Sequence, residues 1–175
     1  MTEKGLVMVN TGNGKGKTTA ALGLAVRAWG EGLKLLILQF IKGAWKYGEL
    51  EAVKKLGDGI AIEQCGKGFT WRKEAGIDEH RACAQATFAR AEEEILSGKW
   101  DLIILDEINY AVKDGLIEEE QVLKLIDSKP DKLHLVLTGR DVLQSIIDKA
   151  DMVTEMRPIK HHMEKGIKAQ KGIEF

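Results

Sequence analysis

Short apolar runs alternate with longer amphipathic stretches along the whole chain. Four runs, "GLVMVN" (5–10), "LKLLILQF" (33–40), "DLIILD" (101–106) and "LHLVLT" (133–138), are rich in Leu, Ile and Val. Near-continuous runs of this kind predict strands buried on both faces, as a parallel sheet requires. Two weaker runs, "IAIEQ" (60–64) and "DMVTEM" (151–156), predict a fifth and a sixth strand. Helices are predicted over 16–30, 78–97, 118–128 and 141–149. The first is expected to stop at Gly30 or Gly32, and the second at Ser97-Gly98, after a stretch of alanine and other good helix formers. Strands and helices in alternation predict an α/β, three-layer domain with a mostly parallel sheet.

Composition narrows this picture only a little. A chain of 175 residues has room for one domain, 1–175, and is short for two. It is 44% hydrophobic and 30% charged, with a formal net charge of −1. That balance argues against nucleic-acid binding over a broad basic surface and leaves only a local patch open. Cys65 and Cys83 have neither metal-ligand spacing nor a disulfide framework, so both are expected as reduced thiols. No stretch reaches the length of a membrane span, and the first residues do not read as a signal peptide. The expected location is cytoplasmic, with no membrane partner.

Chemistry enters at "TGNGKGKTT" (11–19), directly after the first apolar run. The strict phosphate-loop pattern asks for a glycine, four residues, then Gly-Lys-Ser/Thr. Here Gly16-Lys17-Thr18 matches and Thr11 stands where the first glycine belongs. Gly12 and Gly14 still free the backbone to curl around an anion. A buried strand before the loop and a helix after it supply the context that the motif alone lacks. Lys17 is expected as an exposed cation on phosphate oxygens, and Thr18 as a hydroxyl ligand of Mg²⁺. The bland alternative is an ordinary glycine-rich turn.

"DLIILDEINYA" supplies the complement. Its apolar run leads into Asp106-Glu107 at a strand's C-terminal end, where α/β sheets place their ligands. Paired carboxylates there suit Mg²⁺, held directly or through water. "TGRD" (138–141) follows the next strand, so Arg140 either faces the same crevice or caps a helix at the surface. "SKPD" (128–131) resembles a guanine-specificity motif but precedes its strand and begins with serine. It reads as a turn, and ATP is the expected nucleotide.

A further stretch, "CGKGFTWRKE" (65–74), places Phe69 and Trp71 in a glycine-bearing loop with no helix or strand pattern. Aromatics in a loop either pin it to the core or meet a large flat apolar ligand or a partner.

Taken together, "TGNGKGKTTAA", "QFIKG" (39–43), "GFTW" (68–71), "LDEINYA" (105–111), "LTGR" (137–140), "ADMVTEM" (150–156) and "GIKAQKGIEF" (166–175) run from end to end of the chain. In this combination the chain resembles the corrinoid adenosyltransferases of the P-loop type, which act on cob(I)alamin or cob(I)yrinic acid a,c-diamide. The resemblance implies a P-loop NTPase (RecA-like) fold and an enzyme of adenosylcobalamin biosynthesis or salvage. It makes Gly12, Asn13, Gly14, Lys15, Gly16, Lys17, Thr18 and Thr19 the triphosphate cradle, joined by Arg140 and by Arg27 on the first helix. Thr18 and Glu107 become Mg²⁺ ligands, with Asp106 beside them as an anchor. Phe69 and Trp71 become the residues under the corrin ring. Relatives are homodimers, and longer ones carry an N-terminal segment over the corrinoid, whereas ten residues precede Thr11 here. In "IKHHMEKG" (159–166), His162 and Met163 follow His161 where the family has a proline and an aromatic.

The chemistry that the resemblance implies is attack by the Co(I) of the corrinoid on C5′ of ATP, with triphosphate leaving. The cradle then stabilises a departing polyanion, because charge builds on the leaving oxygen in the transition state. Apolar rings displacing the lower axial donor leave cobalt four-coordinate and easier to reduce. The electron donor implied is a reduced flavin or flavoprotein. The alternatives are a P-loop ATPase or kinase, with Glu107 polarising water, and a RecA-like nucleic-acid-binding module, which the net charge disfavours.

Overall fold

The computed structural model describes residues 4–41, 47–64 and 76–174. All six predicted strands form: β1 (Val7–Thr11), β2 (Leu35–Gln39), β3 (Ile60–Gln64), β4 (Leu102–Asp106), β5 (His134–Thr138) and β6 (Met152–Glu155). They make one sheet in the order β3-β2-β4-β5-β1-β6, and every strand pair in it is parallel, a stricter arrangement than the mostly parallel sheet expected.

The helices are α1 (Lys17–Gly30), α2 (Gly48–Leu56), α3 (Ile77–Leu96), α4 (Ile108–Lys113), α5 (Glu119–Ser128) and α6 (Gln144–Lys149), followed by a short 3₁₀ turn at His162–Lys165. α1 stops at Gly30, and Gly32 takes the positive φ of 83° that the turn needs. α6 begins at Gln144 instead of 141, because Gly139 and Asp141 both take positive φ in the turn before it. α2 and α4 were not predicted. α2 is nine residues long and fully buries only Val53, and the six residues of α4 prolong the apolar run of β4.

Alternation along the strands sorts the core into two layers. Val7, Val9, Leu36, Leu38, Ile103, Leu105, Leu135 and Leu137 face α3, α4, α5 and α6. Met8, Leu35, Ile37, Ile104 and Val136 face α1 and α2. α1 meets the sheet through Ala21, Ala25 and Ala28, one small-residue stripe that lets it lie close to the strands. The strands β2 and β4 are buried along their whole length, whereas the edge strand β6 is exposed throughout. Parallel strands bring the ends of β1, β2, β4 and β5 to the same edge, where the glycine loop, Asp106, Glu107 and Arg140 lie.

Candidate active site

The segment 12–16 joins buried β1 to α1. Gly12 and Gly16 have φ of 93° and 112°, a region that side-chain-bearing residues avoid. A Cβ on Gly12 or Gly14 would lie 2.5 Å or 2.7 Å from the carbonyl oxygen of Met156. The reason is that β6 runs on beside the loop: the Met156 N–H donates to the Thr11 carbonyl at 2.8 Å, and the Gly14 N–H to the Met156 carbonyl at 2.7 Å. The glycine at 14 therefore serves close packing of backbone on backbone, with its own amide already engaged.

Lys17 opens α1 and differs from expectation. It is buried, at 8% exposure, and its ammonium donates to the carbonyls of Gly12 at 2.7 Å and Gly14 at 2.8 Å. Burial lowers its pKa first; Glu107 opposes that shift, Arg140 reinforces it, and Asp106 and Asp141 oppose it. The charges of Asp106, Glu107, Arg140 and Asp141 thus all act on Lys17. Arg140 is solvent-exposed and follows Gly139, whose φ is 134°. Asp141 pairs with Lys113 of α4.

Asp106 closes β4 at 1% exposure and is the hub of a buried polar network. Its Oδ1 accepts from the Thr18 hydroxyl at 2.8 Å and the Thr138 hydroxyl at 2.7 Å, and its Oδ2 from the Gln39 amide at 3.1 Å. Thr138 in turn accepts the backbone N–H of Glu107 at 2.9 Å. Glu107 has φ of 66° and turns the chain sharply from β4 into α4. One hydroxyl on β5 therefore orients both members of the acidic pair.

Of the other predicted residues, Asn13, Lys15 and Thr19 are exposed on or beside the loop. Lys15 is paired with Glu174, whose other oxygen lies 2.5 Å from His162 Nε2, so the C-terminal segment clasps the phosphate loop. His161 stacks on His162 and accepts the Met163 N–H. Arg27 is exposed in the last turn of α1. It stands ten residues beyond Lys17, about 15 Å along the axis, so the fold does not bring it to the loop. Phe69 and Trp71 lie outside the described residues. Gln39, Thr138 and Asn109 were missed by the sequence reading. The last two stand within "LTGR" and "LDEINYA", and Gln39 is a polar residue ending an apolar run. Asn109, at 1% exposure, has no hydrogen-bond partner for its amide among the described residues.

A glycine loop between a buried strand and a helix, Lys-Thr opening that helix, and Asp-Glu at the end of a nearby parallel strand define a P-loop nucleotide-binding protein. The flagellar accessory protein FlaH of Methanocaldococcus jannaschii shares the fold, with a TM-score of 0.56, 12% identity, and coverage of 87% of this chain and 71% of that one. The family model described as ATP:corrinoid adenosyltransferase BtuR/CobO/CobP matches residues 3–175. The chain is 41% identical to the corrinoid adenosyltransferase of Pseudomonas aeruginosa over 99% of its own length and 85% of the relative's. It is 37% identical to the corrinoid adenosyltransferase CobA of Salmonella typhimurium, over 99% of this chain and 87% of that one. The chain belongs to the ATP:corrinoid adenosyltransferase family, and the P-loop is that of a transferase.

Proposed function

We propose that this protein transfers the 5′-deoxyadenosyl group of ATP to the Co(I) of a corrinoid and releases triphosphate intact. The observation that carries the reading is the glycine loop wrapped on the Lys17 ammonium, with Thr18 hydrogen-bonded to Asp106 of the acidic pair beside it. Cations there meet a polyphosphate, and the strongly electropositive end of α1 adds its dipole. Lys17 exchanges two backbone carbonyls for phosphate oxygens when nucleotide enters, and the triphosphate gives the buried ammonium charged partners in place of neutral ones. Lys17 and Arg140 then stabilise the negative charge that gathers on the leaving oxygen as the C5′–O bond breaks. The nucleophile is the cobalt of the substrate, so no side chain has to accept a proton. The protein's share is to hold C5′ in line with the metal and the leaving oxygen opposite it.

The donor set also fits Mg²⁺. Thr18 and Glu107 offer hard oxygen atoms, and Asp106 aligns Thr18 by accepting the hydrogen bond of its hydroxyl, which leaves the hydroxyl lone pairs for the cation. Thr18 and Glu107 would hold the ion, with Asp106 acting through Thr18. Bound there, Mg²⁺ supplies charge neutralisation on the phosphates. Asn13, Lys15, Gly16 and Thr19 complete the cradle, and Phe69 and Trp71 take the lower face of the corrin ring, displacing its axial donor. A reduced flavin or flavoprotein supplies the electron that makes Co(I). The exposed edge strand, with Met152 at 51% and Val153 at 37%, supports the expected homodimer by leaving apolar surface for a second copy. No described helix is long and apolar enough to cross a membrane.

The test is a product analysis. ATP, Mg²⁺ and chemically reduced corrinoid should yield a Co–carbon absorbance and intact triphosphate, without ADP, and no ATP should be consumed when corrinoid is omitted. ADP and orthophosphate formed equally well without corrinoid would make the protein an ATPase.

A further inference from the structure

Gln39 is a polar side chain at the end of the all-apolar strand β2, and it is 0% exposed. It stands in register with Asp106 on the neighbouring parallel strand. Its Nε2 donates to Asp106 Oδ2 at 3.1 Å and makes a long approach, 3.5 Å, to Glu49 Oε1 of α2. Both partners are carboxylates, which only accept, so the amide has one allowed orientation: turned over, its oxygen would face theirs. In the allowed orientation Gln39 Oε1 is sealed from solvent and has no hydrogen-bond partner among the described residues. A buried acceptor left without a donor costs about 1–3 kcal/mol. An apolar residue of the same size would avoid that cost and continue the pattern of the strand. The amide is therefore explained by a donor that arrives with a ligand.

We propose that Gln39 is a positioning residue for the cation site: its amide N–H sets Asp106, and its Oε1 accepts a hydrogen bond from a water molecule bound to the cation. This rests on the assignment of that cation to Thr18 and Glu107. Gln39 lies one hydrogen bond from Asp106, which lies one hydrogen bond from Thr18, at the edge where the phosphate loop opens. A cation polarises its waters into strong donors, and a neutral amide oxygen accepts from them without adding charge beside two existing carboxylates. Gln39 thereby links two elements, β2 and β4, to the same ion without touching it.

The experiment is a Mn²⁺ titration followed by electron paramagnetic resonance, in the presence of ATP, on the wild type and on Gln39→Met. Methionine keeps the volume and removes both polar atoms. The variant is expected to bind Mn²⁺ at least about tenfold more weakly, as outer partners of metal ligands do when replaced. Its affinity for ATP in the presence of a chelator should equal that of the wild type. Unchanged Mn²⁺ affinity overturns the proposal. So does an equal loss of ATP affinity with and without metal, which marks a packing role. Should Gln39→Met not fold, as judged by circular dichroism, a crystal structure of the wild type with Mg²⁺ and ATP decides. A metal-bound water within about 3.2 Å of Gln39 Oε1 supports the proposal, and any other donor there, or none, overturns it. Failure of the wild type itself to bind Mn²⁺ with ATP would remove the cation assignment, and the role of Gln39 with it.

Discussion

The Thr18 hydroxyl donates to Asp106 at 2.8 Å across 88 residues of sequence. Thr18 opens α1 and Asp106 closes β4, yet their strands are not neighbours: β5 runs between β1 and β4. The gap is bridged because Thr138, at the end of β5, donates to the same carboxylate oxygen. The start of the first helix and the acidic pair are thereby locked in one arrangement before any nucleotide is present. Such preorganisation suits a site whose contribution is electrostatic.

Lys17→Ala should lower ATP affinity by at least about tenfold, since a charge-assisted hydrogen bond is worth about 1.5–3 kcal/mol. The burial of Lys17 adds a second effect. Its ammonium ties the carbonyls of Gly12 and Gly14 together, so the nucleotide-free variant should also melt about 2–4 °C lower, for a loss near 1 kcal/mol. Nucleotide titration and a thermal melt of the same sample measure both. Unchanged affinity would dismiss the cradle.

Gly139→Ala should be destabilising by about 1–3 kcal/mol. The φ of 134° is unfavourable for alanine, and the new Cβ would lie 2.8 Å from Tyr110 N and 2.9 Å from Asn109 Cβ. The collision sits between β5 and α4, where Arg140 and Glu107 are held. A thermal melt should show the loss, and ATP binding should weaken with it. A variant that melts like the wild type would mean that the turn relaxes freely.

The acid limb of stability should depend on Asp151. Its carboxylate accepts the Val7 N–H at 2.8 Å and pairs with Lys4 at 2.9 Å, and these partners, Val7 first, hold its pKa below the ordinary carboxylate value. A depressed pKa contributes stability that is complete above the unfolded pKa, about 3.9, and is lost as pH falls through the folded value. Asp151→Asn should therefore be less stable than the wild type near neutral pH, with the difference closing below about pH 4. Urea unfolding across that range measures it, and a difference independent of pH would refute the assignment.

Phe69→Ala and Trp71→Ala should slow the reaction most when corrinoid is supplied as Co(II) with a reductant, because displacing the lower donor precedes alkyl transfer. Supplied as Co(I), the loss should be smaller. Rates measured from each oxidation state make the comparison. Equal losses would reduce the pair to binding the ring or anchoring the loop.

What the linear sequence determined is the set of elements and the phosphate loop. Long apolar runs have only one stable place, the middle of a parallel sheet, and glycines before Lys17-Thr18 have a local reason to be there. The acidic pair was legible for the same reason, as polar residues at the end of an apolar run. Tertiary structure alone decided the rest. The backbone packing of Met156 against Gly12 and Gly14 beside Lys17 is a contact that spans the chain. The roles of Thr138 and Gln39 depend on strand order, which places residues from β5 and β2 on either side of Asp106. Periodicity reports which face of a strand is buried; it carries no information about which strand lies next to it. A hydrogen-bond network that crosses three strands is therefore written only in the assembled sheet.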